Sequence, residues 1–131
     1  LYHTPHGLAN AIMLPLVLKF SSPAITDRLA LLAVSARVGT PDEPAEALAQ
    51  KFLDAVDQLN ADLGIPTTLE TLQAADIPAL AKAACREAHT GYPVPRYMSQ
   101  QQCEELIGLA LPQPKPAKRR SKKSTAGAAA K

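Results

Sequence analysis

From Ala45 to Leu63 the apolar residues Ala45, Leu48, Ala49, Phe52, Val56, Leu59 and Leu63 fall three or four positions apart, which is one face of a helix. Nowhere in the chain do apolar and polar residues alternate with period two, so no sheet is predicted. Helices without a sheet can bury their apolar faces only against one another. The predicted fold class is therefore all-α, a bundle of five or six helices separated by proline and glycine.

That punctuation sets the elements. Residues 8–20 are apolar nearly all round, as in a helix buried between neighbours, and Pro15 is expected to kink or delimit it because it brings no backbone donor. Thr26 can cap a second helix over residues 27–38, with Gly39 as its stop. Thr40-Pro41-Asp42-Glu43 reads as a capping box with proline at the first helical position. The third helix is expected to open there and to stop at Gly64-Ile65-Pro66. Residues 67–75 form a shorter, weaker segment holding Leu69 and Leu72. Asp76 is expected to cap a helix over 77–88, closed by Thr90-Gly91. Two prolines keep Tyr92-Pro93-Val94-Pro95-Arg96 out of a helix, and Ser99 with Gln102 forms a second capping box for a last helix over 100–111.

The formal net charge of +2 hides a division. Residues 1–112 carry seven lysines and arginines against all 12 acidic residues, whereas residues 113–131 carry the other seven cations and no acid. Having no side chain larger than alanine except polar and proline residues, 113–131 is expected to be a disordered basic tail on an acidic helical body, 1–112. Two cysteines exclude a disulfide scaffold, and the longest apolar stretch, residues 8–18, is too short and too interrupted to span a bilayer. That stretch also lacks the basic flank and cleavage site of a signal peptide. The expectation is a cytoplasmic protein with reduced thiols at Cys85 and Cys103. Because the chain opens at Leu1, inside its densest cluster of distinctive residues, a trimmed or truncated product is expected.

Three kinds of chemistry can be weighed on spacing alone. His3, His6, His89 and Cys85 are of metal-ligating type, and Cys85 and His89 lie one helical turn apart. The plainer reading makes Cys85 a small buried residue and the histidines ordinary polar ones. Cys85 or Cys103 with His89 could form a thiolate pair, but no further residue specifies one. The six glycines are scattered singly, so no loop here can cradle a dinucleotide's phosphates. The six cations between Lys115 and Lys123 could neutralise phosphates in weak, nonspecific binding of nucleic acid, without aromatic residues for base stacking.

The run Tyr2-His3-Thr4-Pro5-His6-Gly7-Leu8-Ala9-Asn10-Ala11-Ile12-Met13-Leu14-Pro15 strongly resembles the Pro-His-Gly segment of the iron-containing (metal-dependent, group III) alcohol dehydrogenases. The resemblance continues through Gly64-Ile65-Pro66, Asp76-Ile77-Pro78-Ala79-Leu80, Thr90-Gly91 and Pro95-Arg96, covering about residues 1–111. Val94 stands where that family usually has asparagine, and the loop is one residue longer.

The resemblance implies the C-terminal helical part of the dehydroquinate-synthase-like, iron alcohol dehydrogenase fold. It implies NAD(P) and Fe²⁺ (or Zn²⁺) in a cleft between that part and an N-terminal nucleotide-binding domain, which these residues do not include. Of the one aspartate and three histidines that hold the family's metal, His6 inherits the last histidine by its motif, with His3 a neighbour at most. The implied reaction interconverts a small alcohol and an aldehyde by hydride transfer. On its own the chain is expected to be inactive and to self-associate through an exposed apolar patch. The alternative is a non-catalytic helical module whose basic tail binds nucleic acid.

Overall fold

In the computed structural model, which describes residues 4–91 and 93–112, helix α1 (His6–Ser21) runs straight through Pro15. Of the two outcomes the proline predicts, a kink or an end, the helix does not end there, and the group that proline leaves unpaired finds a partner elsewhere. A proline at position 15 removes the donor that would reach the carbonyl of residue 11. Asn60 supplies the replacement, its Nδ2 donating to the Ala11 carbonyl at 2.8 Å.

Four further helices follow, α2 (Thr26–Ser35), α3 (Ala45–Asp62), α4 (Ile77–Gly91) and α5 (Gln100–Gly108), with short 3₁₀ turns at Ser22–Ala24 and Ala74–Asp76. No strand occurs among the described residues, in keeping with the all-α expectation. None of these helices is long and apolar enough to cross a membrane. The basic tail, 113–131, lies outside the described residues, as do His3 and Tyr92.

Helices α2 and α3 form one packed pair. Ala30, Ala33 and Leu48 are buried in one cluster, and Leu29, Ala49 and Leu53 in another, with Phe52 against both. The alanines let the two backbones approach while Leu29, Leu48 and Leu53 fill the seam. Only the first half of the apolar face of α3 is covered, and Leu59 and Leu63 stay 58% and 66% exposed. Length explains this: at 1.5 Å per residue, α2 spans only about 15 Å, whereas α3 spans about 27 Å.

The second core joins α1, α4 and α5. Ile12, Ile77, Ala81, Cys103, Ile107 and Ala110 are buried there, with Leu72 from the connection before α4. Leu18 of α1 meanwhile packs against the α2–α3 cluster. Serving both cores accounts for only part of the nearly all-round apolar sequence of α1, because Leu8, Leu14 and Val17 stay exposed rather than buried between neighbours as expected. Lys19 of α1 also pairs with Asp57 of α3 at 2.6 Å.

Several sequence expectations shift in detail: Thr26 does not cap the second helix but lies inside it, its hydroxyl donating to the Ser22 carbonyl at 3.0 Å. The third helix starts at Ala45 rather than Pro41, because Pro44 disfavours helical geometry at Glu43. The Thr40–Glu43 motif still closes, as a turn: Thr40 N donates to Glu43 Oε1 at 2.9 Å, and Lys51 pairs with the other oxygen. The second helix ends before Gly39, with the left-handed step taken by Arg37 at φ 60° and closed by Val38 N to Ala33 O at 3.0 Å. Gly39 is instead a point of close approach, where a Cβ would collide with Leu48. Finally, residues 67–73 form turns rather than a helix, anchored by Leu69 N to Ala110 O at 2.8 Å. The Ser99 capping box is present as read, with both reciprocal bonds made to Gln102.

Candidate metal-ligand position

Pro5 precedes α1 at φ −55° and ψ 131°, an extended geometry natural to proline, and its carbonyl accepts from Ala9 N at 3.1 Å. The chain therefore turns into the helix at His6, whose side chain is exposed at the first helical position. Just before it, Thr4 Oγ1 lies 3.1 Å from Thr71 Oγ1, tying the approach to the 67–73 turns. One helical turn on, Asn10 Nδ2 donates to His6 Nε2 at 3.0 Å. With the amide so oriented, the one lone pair of the neutral ring, on Nε2, is taken up by Asn10; with the amide turned over, Oδ1 accepts from Nε2–H and Nδ1 carries the free lone pair. A Cβ added to the neighbouring Gly7 would meet nothing within 4 Å, so the helix surface at Gly7 is open.

The exposed His6 follows a rigid proline and can offer a metal one nitrogen, Nδ1 with the Asn10 amide turned over, or Nε2 once Asn10 gives way. It does not make a site alone. No group of three or more His, Cys, Asp and Glu side chains is gathered for an ion among the described residues. Even an open catalytic site needs about three protein ligands.

The other candidates are placed differently. Cys85 is half-buried and its thiol lies 3.7 Å from the Met98 carbonyl, while His89, exposed, stacks on Tyr97 with ring centroids 4.5 Å apart. Both border a cavity of about 350 Å³ between α1, α4, α5 and residues 94–98, but they are not joined as a catalytic pair. Cys103 also borders this cavity, and burial first, then the adjacent Cys85, pushes its thiol up to about 11. That thiol keeps its proton at neutral pH.

Arg96 is the residue whose role spacing does not disclose. Its guanidinium lies 4.4 Å over the Phe20 ring, and Nη1 donates to the Phe20 carbonyl at 2.6 Å. A cation thus meets both an aromatic face and one of the terminal carbonyls of α1. The only sequence signal is the Pro95-Arg96 pair, and nothing local points to Phe20.

Comparison with known proteins identifies the family. Residues 1–111 match the model described as Fe-containing alcohol dehydrogenase family, C-terminal. Lactaldehyde reductase of Escherichia coli (strain K12) is 37% identical over 92 residues, covering 69% of this chain and 24% of that protein. The 1,3-propanediol dehydrogenase of Citrobacter freundii is 31% identical over 113 residues, 85% of this chain and 29% of that protein. A crystal structure of 1,3-propanediol oxidoreductase superposes with a TM-score of 0.77 at 27% identity, over 85% of this chain and 29% of that one. The chain thus spans about a quarter of the length of the relatives it matches. With His6 at the mouth of α1 and the match running to the end of the last helix, the chain belongs to the Fe-containing alcohol dehydrogenase family and carries its C-terminal region.

Proposed function

We propose that residues 1–112 are the metal-side helical wall of an NAD(P)-dependent alcohol dehydrogenase and that His6 contributes one ligand to its divalent metal. The observation that carries this reading is the exposed His6 imidazole at the first position of α1, behind Pro5 and within 3.0 Å of Asn10. When bound, the Fe²⁺ or Zn²⁺ supplies Lewis acidity toward a substrate oxygen, and the nicotinamide accepts or returns the hydride. The chain's own part is positional. Pro5 and the Thr4–Thr71 contact fix where the imidazole stands, Asn10 orients the ring, and Arg96 clips residues 93–98 to the end of α1.

Relatives named lactaldehyde reductase, NADPH-dependent butanol dehydrogenase (Clostridium saccharobutylicum; 39% identical over 69 residues, 53% of this chain and 17% of that protein) and 1,3-propanediol dehydrogenase support short alcohols and their aldehydes as the substrate class. The basic segment 113–131, on which nucleic-acid binding would rest, lies outside both the described and the matched residues.

The test has two arms. The 131-residue chain assayed with NAD(H) or NADP(H), Fe²⁺ and short alcohols shows no turnover, since His6 is a single donor. A chimera in which residues 1–112 replace the matched stretch of Escherichia coli lactaldehyde reductase retains metal and turns over. Turnover by the chain alone, or a folded chimera that holds no metal, contradicts the proposal.

A further inference from the structure

The cavity between α1, α4, α5 and residues 94–98, about 350 Å³ in volume, is bordered by both cysteines of the chain. Helix α4 contributes Cys85, half-buried, and α5 contributes Cys103, buried beside it in the same core cluster. Both residues line the one cavity and pack in the one cluster, and Cys85 itself donates to the Met98 carbonyl at 3.7 Å. Around them the walls are mainly apolar, with the thioethers of Met13 and Met98 among the lining groups. The pair is therefore asymmetric. Both line a cavity wide enough for a small molecule, and Cys85 is the more exposed of the two.

We propose that Cys85 and Cys103 are an oxidisable dithiol, a modification site at which a small hydroperoxide entering the cavity links α4 to α5 through a disulfide. Exposure assigns the roles. Cys85 loses its proton to solvent and its sulfur attacks one peroxide oxygen. The S–O bond forms, the O–O bond breaks, and the departing oxygen takes a proton and leaves as alcohol or, from hydrogen peroxide, as water. The Cys103 sulfur then attacks the sulfenic sulfur of Cys85, forming the S–S bond and breaking S–O. The hydroxide lost there combines with the Cys103 proton as water. In sum, two thiols are oxidised by two electrons and one hydroperoxide is reduced to an alcohol and water. The crosslink closes a loop that includes Arg96, so it also pins the segment clipped to Phe20.

The test is thiol mapping of the purified chain at low protein concentration, exposed to hydrogen peroxide and then alkylated under denaturing, non-reducing conditions. The expected product is monomeric, two hydrogens lighter, without alkylatable thiols, and yields a linked peptide pair containing Cys85 and Cys103 that dithiothreitol separates. In Cys103→Ser, the sulfenic acid on Cys85 is expected to be trapped by dimedone. In Cys85→Ser, Cys103 is expected to remain alkylatable after the same exposure. Crosslinks only between chains, over-oxidation of Cys85 with Cys103 left as free thiol, or two untouched thiols would overturn the proposal. The wild-type peptide map separates these outcomes even if a variant fails to fold.

Discussion

Asn60 of α3 donates its side-chain amide to the carbonyl of Ala11, the one that Pro15 deprives of its helical partner. The bond repairs α1 and at the same time joins α1 to α3, so one residue answers both for a local defect and for a tertiary contact. Asn60→Ala is expected to cost about 1–2 kcal/mol, because a half-buried carbonyl loses its partner. In a Pro15→Ala background, where the helix supplies its own donor, the same substitution is expected to cost clearly less. Urea denaturation of the four-member cycle measures the coupling, and strict additivity would contradict it.

Arg37 and Gly39 divide between them what one glycine usually does at the end of a helix. Arg37→Gly relieves a left-handed conformation at φ 60° and is expected to stabilise the chain by about 0.5–1 kcal/mol. Gly39→Ala is expected to destabilise it by about 1–3 kcal/mol, since its methyl must displace Leu48 from the α2–α3 seam. Thermal melts of the two variants should therefore move in opposite directions.

The turn ahead of α3 is sensitive to acid. Lys51 first, and then the Thr40 backbone, hold the Glu43 carboxyl below its ordinary 4.5, and the Thr40 side chain is the main cause that lowers Asp42 from 3.8. Groups with depressed values contribute stability that is present above their unfolded pKa and lost as pH falls through the folded one. Stability is thus expected to fall below about pH 4, and Glu43→Gln is expected to flatten that slope. A variant with an unchanged acid limb would contradict the assignment.

Arg96→Met removes the contact over Phe20 and the bond to the terminal carbonyl of α1. A loss of about 1–2 kcal/mol is expected, with faster amide exchange in residues 97–99, and Arg96→Lys is expected to recover only part of it. Equal exchange in wild type and Arg96→Met would show that the clip does not hold the segment.

Local patterns in the chain are legible, and long-range pairings are not. The helical periodicity, the Ser99–Gln102 box and the stop at Gly64 (φ 67°) are local, and they are present as read. The start of α3 departs from its motif because Pro44 outweighs the well-formed capping sequence just ahead of it. The end of α2 departs because a nearby glycine is the usual left-handed residue, and Arg37 takes that conformation instead. Asn60 to Ala11 and Arg96 to Phe20 join residues 49 and 76 positions apart, and no short-range pattern announces such pairs. His6 stands out only through the motif it sits in; the spacing of the histidines alone gives no reason to prefer it.

Whether His6 is a metal ligand is decided by the metal content of the lactaldehyde reductase chimera with His6 intact and with His6→Ala. The intact chimera is expected to keep its metal through desalting. His6→Ala should lose affinity by more than the roughly 10–100-fold expected when only an outer partner of a ligand is removed, with helical content and nicotinamide binding unchanged. A His6→Ala chimera that retains metal and turnover at the level of the intact one would show that His6 is not a ligand.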